Sequence, residues 1–152
     1  HAAQSHLDTL DNLQNGFLRE IFLTDKEAFL DFNLAPLQLR RDISVLGLLH
    51  KIQLGEAHPD FNVLFPRQTE TRSVNTRLTA RRHGRQFYEA AGNSYYFNRS
   101  IFGAVKVYNT LPAHIVSSPT VRQLQSLLTQ DARLRCRSGQ MHWADMYDHR
   151  VR

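Results

Sequence analysis

The sequence predicts a mainly α-helical domain of about five to six helices around one core. Three observations carry this. Leu7, Leu10, Leu13, Phe17, Leu18 and Ile21 recur at spacings of three and four, the stripe of an amphipathic helix. The run Ile43–Leu49 is apolar on nearly every side of a helix. Helical spacing returns in Ile101, Phe102, Val105 and Tyr108, and again in Val121, Leu124, Leu127 and Leu128.

Taken in order, the first helix is expected from about Ser5 to Phe22. Thr24 and Glu27 have the spacing of a capping box, which predicts a short helix over residues 25–32. Pro36 suits the first turn of a third helix running to about Gln53. Gly47 inside it costs about 1 kcal/mol against Ala, which predicts close packing on another backbone. Leu46 and Leu49 are expected to be buried together with Val105, Tyr108 and Leu111. Residues 56–98 read as a basic, loop-rich insertion in a single domain over 1–152, broken by Pro59 and Pro66. Within it, residues 86–89 and 95–98 can pair as a short β-hairpin around Gly92-Asn93. A helix near 99–109 ends at Pro112. Another begins at Ser118-Pro119. Gly139 sets off a last amphipathic piece with Trp143, Tyr147 and Val151.

Of the 152 residues, 41% are apolar and 22% charged, a balance that folds rather than staying disordered. No apolar run approaches bilayer length, so no membrane association is expected. The stretch His1–Asp11 lacks the pattern of a signal peptide. It also lacks an initiator Met, which suggests a piece of a longer chain. One cysteine, Cys136, rules out an intrachain disulfide and suits an intracellular site, nuclear or cytoplasmic. The net charge of +5 is unevenly spread: residues 1–66 hold five Lys/Arg against nine Asp/Glu, and residues 67–152 hold fourteen against five. Sixteen of the nineteen basic residues are Arg, whose planar fork matches phosphate.

The basic excess is densest where Arg67, Arg72, Arg77, Arg81, Arg82 and Arg85 fall within nineteen residues, opposed by Glu70 alone. Phe87, Tyr88, Tyr95, Tyr96 and Phe97 follow directly. Arginines on phosphates and aromatic rings on bases are how single-stranded nucleic acid is held. The candidate contacts are those six arginines with Phe87, Tyr96, Arg99 and Lys106. The competing reading makes the rings core residues of the hairpin and leaves the arginines solvated. Arg40-Arg41 can add phosphate contacts or pair with Asp42 or another acid.

Other chemistry finds no support. Cys136, His142 and His149 lack the paired spacing of a zinc site, and no metal or cofactor is expected. There is neither a Gly-x-Ser-x-Gly nor a Gly-x-x-x-x-Gly-Lys. Arg135 and Arg137 flank Cys136 and could lower its pKa, though an ordinary thiol is the simpler reading. His50 reads as a hydrogen-bonded packing residue.

Several segments resemble one family. Leu10-x-x-Leu13-Gln14 with Phe17-Leu18-Arg19 is similar to the helix that follows the thumb in LINE-like reverse transcriptases. Leu34-Ala35-Pro36-Leu37, Arg40-Arg41, Leu46, Leu49, Lys51-Ile52 and Gly55 resemble a run typical of that family, and Thr71-Arg72-Ser73 the element that often follows. Arg99-Ser100, Ala104-Val105 and Tyr108-Asn109-x-Leu111-Pro112 resemble its terminal signature, with Tyr108 where Trp is usual and Leu124 where Phe is usual. The resemblance spans about residues 7–130, and Asn-x-Leu-Pro is its most specific piece. It implies the C-terminal, post-thumb segment of a non-LTR (LINE/jockey-like) retrotransposon reverse transcriptase polyprotein. That segment would be non-catalytic, bind template RNA or target DNA, and have the parent polymerase domain as a partner in cis. Polymerase chemistry needs paired aspartates for two metal ions, and no Asp-Asp occurs. The alternatives are a helical interaction module for an acidic protein and a folded relic without function.

Overall fold

A computed structural model describes residues 4–68, 83–90 and 94–149. They are mainly helical, in the order α1 (Gln4–Glu20), α2 (Asp25–Phe32), α3 (Leu37–Leu54), α4 (Asp60–Leu64), α5 (Tyr95–Asn98), α6 (Ile101–Thr110), α7 (Ala113–Val116) and α8 (Val121–Arg137). A 3-10 turn, Trp143–Asp145, follows.

Local chemistry sets the boundaries. Thr24 and Glu27 form the reciprocal capping box that starts α2, and Asn33 ends it in the left-handed conformation. Pro36 stands one place before α3 as its cap, and Gly55 at φ 77° stops that helix. Ser100 and Thr120 cap α6 and α8 through their side-chain oxygens. The last helix therefore begins three residues after Ser118, whose hydroxyl instead donates to Ile115 O at the end of α7.

The core forms where α3 crosses α8 and α6. Leu39, Ile43, Leu46, Leu49 and Ile52 of α3 are buried on several sides, so both later helices are needed to cover them. Leu46, Leu49, Val105, Tyr108 and Leu111 share this cluster as the sequence predicts. Gly47 is tightly approached, but by a side chain rather than a backbone. A Cβ there would lie 2.5 Å from Gln125 Nε2 of α8. The C-terminal piece docks by stacking Trp143 on Phe29, with ring centroids 5.2 Å apart, and by Tyr147 donating to Leu128 O. Arg133 reaches the Phe29 and Leu30 carbonyls at the end of α2.

The proposed hairpin does not form: Tyr95–Asn98 is a helical turn, and Phe87 instead makes an isolated antiparallel bridge with Arg67. Within the loop-rich insertion, α4 is a short helix of five residues. Val151 lies outside the described residues.

Candidate nucleic-acid interface

The arginine-rich stretch leaves and rejoins the core at one place. Gln68 N–H donates to Gln86 O and Tyr88 N–H to Pro66 O, both at 2.9 Å, closing the Arg67–Phe87 bridge. Arg72, Arg77, Arg81 and Arg82 lie outside the described residues, between these two anchored ends.

Side chains of α6 and α3, and of the returning segment itself, hold it in place. Asn109, at the C-terminal end of α6, uses its amide as a second strand would. Its Oδ1 accepts from Phe87 N–H at 3.0 Å and its Nδ2 donates to Phe87 O at 2.9 Å. Gln86 Nε2 donates back to Asn109 O, and Gln53 of α3 reaches the Arg85 and Gln86 carbonyls. His83 accepts from Arg85 N–H at Nδ1 and donates from Nε2 to Tyr108 O. That pattern fixes a neutral ring. Burial, the larger cause, and the Arg85 charge hold His83 below its ordinary pKa.

A second histidine completes the polar core. His50 donates from Nε2 to Ser118 O at 3.0 Å and accepts the Tyr108 hydroxyl at Nδ1 at 2.9 Å. Burial lowers its pKa also, and raises that of Tyr108 far above the usual phenol. His50 is thus the hydrogen-bonded packing residue expected from the sequence.

The candidate contacts divide sharply. Arg85 spends its guanidinium on the Val116 and Ser118 carbonyls at the end of α7. Arg67 donates one bond to Ile52 O at the end of α3, and the rest of it faces solvent. Arg99 and Lys106 are half-buried at the start and on the flank of α6. Tyr96 has a described backbone in α5 only. Phe87 is 0% exposed, edge-on to Phe65 and 5.4 Å from the Tyr108 ring. It cannot stack on a base while the protein is folded, and it leaves the set of contacts. The ring that the sequence passed over, Tyr88, is 64% exposed.

Elsewhere, Arg41 pairs with Asp11 of α1 at 2.7 Å, while Arg40 faces an open groove of about 400 Å³ with Asn33, Ser44, Gln125 and Thr129. Cys136 is buried, and burial pushes its thiol up rather than down, so its arginine neighbours do not make it reactive. His149 sits 3.9 Å from the buried Asp42, and donor atoms of Asp42, Asp148 and His149 lie within 4.8 Å of one another. Two carboxylates and an imidazole can close an ion pair or hold a cation; Gln38 already donates to both Asp42 oxygens.

The helix α1 presents an unexpected face. Asp11 and Gln14 turn inward, to Arg41 and to Ala35 O, and Leu18 is buried beside them. Leu10, Leu13, Phe17 and Ile21 therefore point outward, Leu13 being 66% exposed. Phe22 follows at φ 56°, a left-handed conformation costly for a bulky residue, with its ring 93% exposed. No protein-family model, curated protein or solved structure matches this chain.

Proposed function

We propose that this chain is a non-catalytic nucleic-acid-binding module, corresponding to the segment downstream of the polymerase in a LINE-like reverse transcriptase. One observation carries the reading. The arginine-rich stretch is tied down at both ends on the same part of the core, by the Arg67–Phe87 bridge and the Asn109 clamp. From Arg67 to Lys106 the chain holds eight Lys/Arg against Glu70 and Glu89, a charge balance suited to a polyanion. The family resemblance supports the same reading, because Asn109 of its most specific element, Asn-x-Leu-Pro, makes that clamp.

The test is salt dependence. Engaging about four phosphates of a single strand should give a slope near −3 in log affinity against log salt. Changing Arg77, Arg81 and Arg82 together to Ala should flatten the slope and weaken binding to unrelated sequences alike. Unchanged binding in the triple variant would exclude this stretch as the contact surface.

The exposed stripe of α1 favours a second, compatible activity, docking on protein. An amphipathic helix with its apolar side outward fits a covering protein surface, and the resemblance supplies the parent polymerase domain in cis. Leu13→Lys with Phe17→Lys should abolish that association and leave nucleic-acid affinity unchanged. Association that survives the double change would refute docking through this face.

A further inference from the structure

The bridge that closes the basic stretch also decides which ring meets solvent. Phe87 is pinned by Asn109 at both backbone groups and points into the core. Its neighbour Tyr88 donates its N–H to Pro66 O and turns outward. Pro66 and Arg67 are exposed beside it along the bridge, and Val63, 83% exposed, and Leu64 precede them. The backbone under Tyr88 is thus fixed and the ring is open, while Arg67, paired with Phe87, lies on the opposite face and donates to Ile52 O.

A single exposed tyrosine is ordinary. This one stands at the anchored base of a stretch dense in arginine, where phosphate would be concentrated. A flat ring at that place stacks on a base only when the base has a free face. Bases inside a duplex are already covered on both sides, whereas every base of a single strand offers a π-face. Tyrosine also commits little side-chain entropy to such a contact, since two angles position the ring.

We infer that Tyr88 is the base-stacking platform of this chain and that its ligand is single-stranded nucleic acid. The inference rests on the nucleic-acid reading above and adds to it the strandedness of the ligand and the ring that reads it. Charge steers any polyanion to this region, and Tyr88 selects those that carry unpaired bases.

The test uses the full chain and three probes: a 12-mer of oligouridine, its oligodeoxythymidine counterpart, and a duplex of equal length. Fluorescence anisotropy reads affinity across a salt series. Tyr88→Ala should weaken both single strands about tenfold or more without changing the salt slope. Tyr88→Phe, which keeps the ring, should bind as the parent does. Duplex affinity should be the same in all three proteins. Tyr88 is exposed, so Tyr88→Ala should fold, and an unchanged melting curve checks it. Single-strand binding intact in Tyr88→Ala but weakened by the triple arginine change would overturn the assignment and leave the nucleic-acid reading standing. Equal loss on duplex and single strand would overturn stacking. Equal loss on polyglutamate, which has charge and no bases, would move Tyr88 to a surface for acidic protein and also overturn it. Failure to bind any nucleic acid would overturn this inference and the reading beneath it.

Discussion

Replacing Asn109 by Ala should destabilise the protein out of proportion to the size of the change. The amide of Asn109 satisfies both Phe87 N–H and Phe87 O, and Phe87 is wholly buried, so water cannot replace either bond. A buried polar group left without a partner costs about 1–3 kcal/mol. Two such groups give an expected loss of roughly 2–5 kcal/mol, a large part of the 5–15 kcal/mol typical of a domain. Urea unfolding followed by circular dichroism should show the midpoint fall by on the order of 1–2 M at unchanged slope. Asn109→Asp separates the donor from the acceptor. The introduced carboxyl keeps an oxygen for Phe87 N–H but turns another towards Phe87 O and towards Glu89 Oε1, which now accepts from the amide at 3.1 Å. At neutral pH it should therefore cost at least as much as Ala. Its deficit against the parent should narrow in acid, as the introduced carboxyl takes up a proton and can donate. A loss below about 0.5 kcal/mol for Asn109→Ala, the range of an ordinary surface change, would show that the clamp does not hold the strand.

His50 and His83 are held neutral in the folded protein, below their ordinary pKa near 6.5. The unfolded chain then binds more protons than the folded one as pH falls below about 6.5, so stability is full above that pH and declines downward from it, which melting temperatures from pH 8 to 5 would reveal. Gly103→Ala would drive a Cβ into the Asn98 carbonyl, a backbone atom that cannot swing aside, and should cost at least about 1–3 kcal/mol by the same urea assay. Gly47→Ala meets only the end of the Gln125 side chain, and with a helix-propensity gain of about 1 kcal/mol it should come out near neutral. Purified chain should extend no primer with magnesium or manganese: Asp42 and Asp148 do converge, but Asp42 is 2% exposed and closed to a nucleotide. Extension that survives repurification would contradict the non-catalytic reading.

The helical fold was legible because periodicity and caps are local. The Thr24–Glu27 pair predicts the start of α2, and Asn33 ends it at the expected residue. The all-round apolar run in α3 announces a central helix before any partner is known. Periodicity is silent, however, on which side of an amphipathic helix faces in. In α1 the longer-range bonds of Asp11 to Arg41 and Gln14 to Ala35 O settle that, and they place the apolar stripe outside. The meeting of Asp42 with Asp148 and His149 is likewise a property of the fold, between residues far apart in the chain.

The site shows why one residue of parity matters. Alternating side chains in an extended segment point to opposite faces, so pairing Phe87 with Arg67 rather than across Gly92-Asn93 decides which ring is buried. The hairpin reading weighed turn residues close in sequence, whereas the partners that fix Phe87 come from α6. The signal for those partners was present in the chain as Tyr108-Asn109-x-Leu111-Pro112. Tyr108 is buried and bonded to His50, Leu111 is buried, Pro112 ends α6 and begins α7, and Asn109 grips Phe87. A polar residue inside an otherwise apolar motif, with a proline three places on, needs a buried partner for its amide. An extended segment offers both its N–H and its C=O to such an amide, and the one that Asn109 holds here is the segment that carries the basic stretch back to the core.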